Sequence, residues 1–287
     1  MGIELPCRST IYAAHFGLEG KPFSLLPDPH FIFWSKNHLR AYSMLEYGLV
    51  SFAPIILITG EVGAGKTTLI QHLLRAVSGE IDIGMIANAH GRSGAMLNWA
   101  LAAFGQPLGE RMSQVRLFSQ FEAFLAARWA QRRRCVLVVD EAQNLSAAML
   151  EELRCLSNLN GGDSERLQIV LVGQPELRAM IGQPKLLQFS QRVAADFHLA
   201  GMPREAVRDY IVHRLRVAGA RRDIFVPGAC DLVFEASRGL PRVINQICDY
   251  ALVHAFAEGR DTVGEEVVAE VTADRRLRWH AASEAEA

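Results

Sequence analysis

Short apolar runs alternate with helix-like stretches along the first two thirds of the chain. The apolar runs predict five β-strands, at residues 55–59, 81–88, 135–140, 167–173 and 195–199. Hydrophobic residues recur at helical spacing between them, at 65–77, 93–104, 114–131 and from residue 146 onward. The run at 135–140 is apolar on both faces, as is typical of a strand buried in a parallel sheet. The alternation predicts an α/β fold with a doubly wound parallel sheet, whose ligands bind at the carboxyl ends of the strands.

The last third of the chain changes to an all-helical pattern after Pro203. Helices are predicted near residues 203–218, 227–237, 241–257 and 263–274, without a convincing strand. In the first of them, apolar residues recur at helical spacing at Val207, Ile211, Leu215 and Ala218. The pattern predicts an α/β domain over residues 53–201 and a small all-helical lid domain over residues 202–275.

The first 52 residues precede the predicted sheet. Residues 1–11 resemble a loose leader, and the proline-rich stretch 21–29 predicts extended chain that packs over a surface. A helix at 35–52 follows, with one apolar face formed by Leu39, Tyr42, Leu45, Leu49 and Phe52. Residues 276–287, at the other end of the chain, are predicted to form a disordered tail.

A phosphate-binding sequence lies between the first predicted strand and the first predicted helix of the sheet domain. It reads Gly60-Glu61-Val62-Gly63-Ala64-Gly65-Lys66-Thr67 and matches G-x-x-x-x-G-K-[ST] in its required strand–loop–helix context. Its glycines let the backbone curl with the N–H groups pointing inward, in dihedrals that a Cβ would penalise. The helix that follows directs its positive dipole end at the phosphates.

The residues that end this loop predict the ligands. Lys66 can reach the β- and γ-phosphates, and the Thr67 hydroxyl can ligate Mg²⁺. Thr68, the next residue, is included among the predicted nucleotide-binding residues. ATP and Mg²⁺ are therefore the expected cofactors.

Polar residues follow the third and fourth predicted strands at the same edge of the sheet. Asp140 can hold Mg²⁺ through its water shell, and Glu141 can polarise the attacking water. Gln174 ends the fourth strand, where an amide can orient water near the γ-phosphate; the alternative is a turn amide. Gln143 also lies near this predicted site. A site residue and an ordinary loop residue are equally good interpretations of it.

Two arginines complete the predicted site. Arg192 precedes the fifth strand and can project into the γ-phosphate of a neighbouring copy, where it would stabilise transition-state charge. Arg178 and Arg204 compete for that role, and a surface salt bridge is the alternative. Arg242 opens the third helix of the lid and could fold back onto the phosphates; the alternative is a surface arginine at a helix start.

The amino-acid composition limits which cellular compartment and which classes of partner are expected. The 287 residues carry a net charge of −1 and a sequence pI of about 6.8, so the chain as a whole offers no basic field for nucleic acid. Arginine clusters at 132–134, 221–222 and 275–278 are interpreted as solvated helix ends, with nucleic acid as the alternative partner. Five scattered cysteines favour a reducing cytosol, and neither a membrane-spanning run nor a signal peptide is evident. A cytoplasmic location is the expectation.

Together these positions resemble the AAA+ ATPases. The phosphate loop corresponds to the family's Walker A element, Asp140 and Glu141 to Walker B, Gln174 to sensor 1, Arg192 to the arginine finger and Arg242 to sensor 2. Further stretches narrow the resemblance to the ExeA-like (general secretion pathway protein A) branch. They are Lys21-Pro-Phe-Ser, Pro27-Asp-Pro, Asp140-Glu-Ala-Gln-Asn-Leu, Ile169-Val-Leu-Val-Gly-Gln-Pro-Glu-Leu and Ser237-Arg-Gly-Leu-Pro-Arg-Val-Ile-Asn.

The resemblance implies an ATP-hydrolysing switch or motor that assembles head to tail into a ring or filament. Secretion members carry a transmembrane segment and a peptidoglycan-binding region after the ATPase, and the 287 residues end before either. Short relatives beside exopolysaccharide genes imply an envelope-assembly partner, with peripheral placement at the inner membrane. Related transposition regulators imply ATP-dependent DNA binding as the alternative. A metabolic kinase is the weakest interpretation, because no acceptor-substrate site is evident.

Overall fold

The computed structural model describes residues 11–26, 28–77, 79, 81–87, 96–108, 112–159 and 166–274. The chain separates into two compact units. An α/β unit comprises Lys36–Ala200, and a helical unit combines Met1–Ser35 with Gly201–Ala287. This division differs from the predicted boundaries at the N-terminus. There the predicted segment 1–52 is shared between the two units instead of preceding the sheet domain as one piece.

The predicted strands and helices appear in the predicted order, and the short helices at Ala13–Phe16, Pro175–Ile181 and Leu187–Ser190 are additional. The helices are α1 (Ala13–Phe16), α2 (Lys36–Val50), α3 (Lys66–Val77), α4 (Met96–Ala103), α5 (Gln114–Ala130), α6 (Ala147–Ser157), α7 (Pro175–Ile181), α8 (Leu187–Ser190), α9 (Arg204–Val217), α10 (Pro227–Ser237), α11 (Pro241–Ala257) and α12 (265–274). The strands are β1 (Ile55–Gly60), β2 (Ile81–Ile86), β3 (Arg134–Val139), β4 (Leu167–Gly173) and β5 (Val193–Leu199). Residue 88 and residues 93–95, where a strand end and a helix start were predicted, lie outside the described residues.

The five strands form one parallel sheet in the order β2-β3-β4-β1-β5. All residues of β1 and β4 are buried, because both strands are apolar on both faces and neighbouring strands flank them. Parallel strands end at the same edge. The phosphate loop after β1, Asp140 after β3 and Gln174 after β4 therefore emerge side by side.

Helix α2 buries Leu45 and Leu49 of its predicted apolar face, but it leaves Leu39 exposed. Leu39 is 50% exposed, whereas His38, Ala41 and Leu45 are buried. At the start of the helix the buried positions are His38 and Ala41, one residue before the predicted Leu39 and Tyr42. The helix thus directs His38 into the α/β unit, and the sequence prediction of the face at Leu39 is wrong.

The helical unit has a hydrophobic core of its own. Its helices α9–α12 bury the four residues predicted from the periodicity of α9, namely Val207, Ile211, Leu215 and Ala218. The N-terminal segment adds Tyr12, Phe16 and Phe23 to the same core. This burial explains why residues 11–35 belong to the helical unit. Their apolar side chains pack against helices that come much later in the sequence.

A buried arginine fastens the N-terminal segment to α9. Arg214 is 7% exposed, and its guanidinium donates to the carbonyl oxygens of Pro22 at 2.6 Å and Ser24 at 3.4 Å. It also donates to the Tyr210 hydroxyl at 3.2 Å and lies over the ring of Phe31. A planar group with several donors can satisfy these acceptors at once, which a lysine cannot do.

Arg214→Met is expected to destabilise the helical unit by about 3 kcal/mol, because the buried Pro22 carbonyl and the partly buried Ser24 carbonyl lose a charged donor. Thermal unfolding would show a lower Tm, and limited proteolysis would cut faster within residues 11–35. Arg216→Met is the matched control, since Arg216 is exposed on the same helix. An unchanged Tm for Arg214→Met would show that this network does not hold the segment.

Candidate nucleotide-binding and hydrolysis site

The phosphate loop adopts the curled backbone that its glycines predict. Gly63 has φ = 81° and Gly65 has φ = 97°, values that favour glycine. Gly60 is required for a different reason: a Cβ there would lie 2.5 Å from the carbonyl oxygen of Leu199. The loop thus combines two positive-φ turns with one close backbone approach to β5. Glu61 and Val62 are exposed at its tip, and Ala64 is buried beneath it.

Lys66 begins α3 with its ammonium group held over the loop. The side chain is buried, and Nζ donates to the carbonyl oxygens of Gly60 at 2.7 Å and Glu61 at 3.0 Å. Burial lowers the pKa of Lys66, and the nearby carboxylates of Glu141 and Asp140 oppose that shift by favouring the cation. The arrangement places a cation where the loop N–H groups receive phosphate.

Oxygen atoms suited to Mg²⁺ converge beside the lysine. The Thr67 hydroxyl donates to Asp140 Oδ2 at 3.0 Å. The other carboxylate oxygen, Oδ1, accepts the backbone N–H of Glu141 at 2.9 Å. Hydroxyl and carboxylate oxygens are hard donors that Mg²⁺ prefers, in company with waters and substrate phosphates. Thr67 and Asp140 therefore fit the predicted ion, and Thr68 lies partly buried in the same helical turn.

Glu141 lies on a backbone turn that most residues avoid. Its dihedrals are φ = 53° and ψ = 37°, in the left-handed region. Its carboxylate oxygen Oε2 accepts from Gln143 Nε2 at 2.6 Å and contacts Gln174 Nε2 at 3.5 Å. A strained conformation of this kind persists where surrounding contacts hold it and is frequent at functional sites.

The predicted site residues of the α/β unit thus fall into two groups. Lys66, Thr67, Asp140, Glu141 and Gln174 come together at the carboxyl edge of the sheet. Arg192 does not join them, because it lies in the turn before β5, at the amino edge. The residue next to it, Val193, pairs with Ile55 at the start of β1.

Arg192 is separated from the phosphate loop of its own chain by the length of β1. The six residues Ile55–Gly60 are separated by five intervals of ~3.3 Å and so span about 17 Å, beyond the reach of one side chain. Within the described residues, the Arg192 guanidinium makes no hydrogen bond or ion pair. The two competing arginines are engaged: Arg178 with Asp196 at 2.8 Å, and Arg204 with Asp231 and Glu235.

Arg242 lies in the first turn of α11 in the helical unit, and its side chain is exposed. Pro241 starts that helix, as the sequence predicts. A contact between Arg242 and the phosphates stays a prediction.

His38 is a site residue that the sequence analysis missed. Its Nε2 lies 3.2 Å from the Ala64 carbonyl oxygen and would be 3.1 Å from a Cβ at Gly65. Burial lowers the pKa of His38, which favours the neutral ring, and the hydrogen bond to Ala64 acts in the opposite direction. The leucine pattern of α2 concealed this residue, because it assigned the inward face to Leu39.

His38→Phe is expected to weaken ATP binding roughly fivefold, because a ring of similar size loses one hydrogen bond, worth ~1 kcal/mol, to the loop backbone. Titration with a fluorescent ATP analogue measures the dissociation constant. The exposed His30 provides a control as His30→Phe. Equal affinity of His38→Phe and the native chain would show that His38 does not hold the loop in its binding conformation.

Comparison with known proteins agrees with this geometry. A sequence profile described as "AAA domain" matches residues 51–181. General secretion pathway protein A of Aeromonas hydrophila is 40% identical over 249 residues, which cover 87% of this chain and 46% of that protein. The chain belongs to the ExeA-like branch of the AAA+ ATPase family. It spans about half the length of this relative.

Solved structures show the same fold. The ORC2 protein of Aeropyrum pernix, solved as ADPNP and ADP complexes, aligns with a TM-score of 0.64 and 18% identity over 88% of this chain and 71% of that chain. The Drosophila ORC bound to DNA aligns with a TM-score of 0.65 and 16% identity over 96% of this chain and 69% of that chain. At these identities the likeness shows the AAA+ fold alone, a P-loop α/β core with a helical C-terminal part.

Proposed function

We propose that this AAA+ protein hydrolyses ATP with Mg²⁺ at the carboxyl edge of its sheet. The observation that carries the proposal is the convergence of Lys66, Thr67, Asp140 and Glu141 on one point. A cation for the phosphates, oxygen ligands for Mg²⁺ and a carboxylate for water are the parts that phosphoryl transfer to water requires.

Each residue has a chemical role in the proposed reaction. The loop N–H groups and Lys66 bind the β- and γ-phosphates, and Thr67 and Asp140 would hold Mg²⁺, which neutralises phosphate charge when bound. Glu141 accepts a proton as water oxygen bonds to the γ-phosphorus. The bond from that phosphorus to the bridging oxygen breaks, and ADP leaves with the electron pair. Gln174 orients the water.

Assembly of several copies would complete the site. Arg192 is free among the described residues and lies at the opposite edge of the sheet from the loop. It can therefore serve only the phosphates of another copy. A contact between unlike edges is head to tail, and its repetition generates a ring or an open filament. Arg242 would report the state of the phosphates to the helical unit, as the family resemblance implies.

The nucleotide cycle would act on a partner in secretion or exopolysaccharide assembly. This proposal rests on the 40% identity to general secretion pathway protein A. Within the described residues no helix is long and apolar enough to cross a membrane. On the strength of that relative, we propose that a protein at the inner membrane is the partner, and that the chain meets it from the cytoplasm. Capture of such a protein only when ATP is bound would support this proposal.

ATP-dependent DNA binding is the second candidate, motivated by the arginine clusters. In each described arginine cluster, at least one arginine side chain contacts another residue of the same chain. Arg133 pairs with Asp82 at 2.7 Å, Arg134 lies over the ring of Phe52, and Arg222 pairs with Asp261 at 3.1 Å. Residues 275–278 lie outside the described part of the chain. DNA binding that weakens steeply with salt would favour this candidate.

Phosphate release from ATP by the full chain tests the proposed activity. We expect phosphate to be released in the presence of Mg²⁺ and no phosphate to be released with an excess of EDTA. Parallel assays with and without duplex DNA separate the two candidates: stimulation by DNA would favour the regulator. Tight ATP binding without any release under these conditions would contradict hydrolysis as the activity of this chain.

A further inference from the structure

Gln143 links Glu141 and Gln174, two polar residues of the proposed hydrolysis site. It lies two positions after Glu141, in the short 3₁₀ turn Ala142–Asn144. Its side chain is partly buried and makes two hydrogen bonds in opposite directions. Nε2 donates to Glu141 Oε2 at 2.6 Å, and Oε1 accepts from the backbone N–H of Gln174 at 3.1 Å.

The partners fix which way the amide faces. The Gln174 backbone N–H can only donate, so the atom facing it must be the amide oxygen. The opposite end is then the NH₂ group, which donates to the Glu141 carboxylate. A reversed amide would set two donors against each other on one side and two acceptors on the other. Gln143 is therefore held in one orientation by its surroundings.

The end of β4 is shaped to admit this side chain. A Cβ at Gly173 would lie 3.0 Å from Gln143 Oε1 and 2.6 Å from Leu177 Cδ2. The absence of a side chain at this position leaves the space that the Gln143 amide occupies. The amide thus bridges the turn after β3 and the end of β4, two neighbouring strands of the sheet.

The carboxylate that Gln143 holds lies on a strained turn. Glu141 has positive φ, and a rotation of its side chain or a relaxation of the turn would move the carboxylate away from the end of β4. The short bond to Oε2 restrains one carboxylate oxygen and leaves the other, Oε1, for the water. Misplacement of a reacting group by about 1 Å can cost a hundredfold in rate.

We propose that Gln143 is a positioning residue for hydrolysis, which fixes the Glu141 carboxylate relative to the end of β4 where Gln174 orients the water. This inference rests on the proposed hydrolytic function. It gives Gln143 a role, whereas the sequence pattern is equally consistent with an ordinary loop residue. Gln143 acts through Glu141 and has no direct contact with nucleotide in this scheme.

Gln143→Met preserves the length of the side chain and removes both hydrogen bonds. We expect kcat to fall roughly tenfold to a hundredfold, with KM and the affinity for ATP within about twofold of the native values. Gln143→Glu keeps an acceptor for the Gln174 N–H but faces Glu141 with a second carboxylate, so its kcat falls at least as far. Gln131→Met is the control, since Gln131 is exposed before β3 at the opposite edge of the sheet.

A double-variant cycle with Glu141→Gln decides whether Gln143 acts through Glu141. In the Glu141→Gln background, Gln143→Met is expected to change the single-turnover rate by less than about twofold, because the group it positions is gone. Losses that multiply would overturn the proposal and show an independent effect on the fold. An unchanged or raised kcat in Gln143→Met would also overturn it. Absence of hydrolysis in the native chain would instead refute the proposed function, and the inference with it.

Discussion

Glu141→Gln is expected to bind ATP as tightly as the native chain and to hydrolyse it at least about a hundredfold more slowly. The amide is nearly the same size as the carboxylate, so the turn after β3 and the proposed Mg²⁺ ligands Thr67 and Asp140 stay in place. An amide cannot accept the proton of the attacking water. Affinity and rate should therefore separate: the dissociation constant stays the same and kcat falls.

Single-turnover phosphate release measures the rate, and titration with a fluorescent ATP analogue measures the affinity. Glu122→Gln is the matched control, because it removes the same charge at a position that is exposed on α5 and distant from the site. A rate for Glu141→Gln equal to that of the native chain would exclude Glu141 as the base.

Arg192→Ala is expected to lower kcat about a thousandfold while nucleotide affinity changes less than twofold. In the proposed assembly the guanidinium would stabilise charge that develops in the transition state of a neighbouring copy, and it lies at the opposite edge of the sheet from the phosphate loop of its own chain. Arg116→Ala provides the control, since Arg116 is exposed on α5. A parallel loss of affinity and rate would indicate a structural role for Arg192.

Mixing two inactive variants tests whether the arginine acts between copies. Arg192→Ala has an intact base, and Glu141→Gln has an intact arginine. If one copy completes the site of the next, mixed assemblies contain complete sites, and phosphate release recovers. A mixture as inactive as its parts would show that Arg192 does not act on a neighbouring site.

The sheet and the order of its predicted elements along the chain could be read from the sequence, because β1, β3 and β4 are mainly apolar and almost entirely buried. The phosphate loop was equally readable, since its chemistry depends on consecutive residues. Helices α7 and α8 were not predicted. They have 7 and 4 residues, too short for a helical periodicity to stand out.

Long-range packing accounts for what the sequence left open. The N-terminal segment joins the helical unit through Phe23 and the bonds from Arg214, and no local pattern connects residues so far apart. His38 contacts the loop because the buried face of α2 begins at His38 and not at Leu39. The role of Gln143 depends on the direction of one amide, which only its partners determine.

We propose that the chain hydrolyses ATP at sites that neighbouring copies complete. The most direct test is the rate of phosphate release per chain, measured with Mg²⁺ over a wide range of chain concentrations. We expect this rate to rise with concentration and then to reach a plateau, as more sites receive an Arg192 from another copy. A rate per chain that is the same at every concentration, in a chain shown to be monomeric, would contradict it.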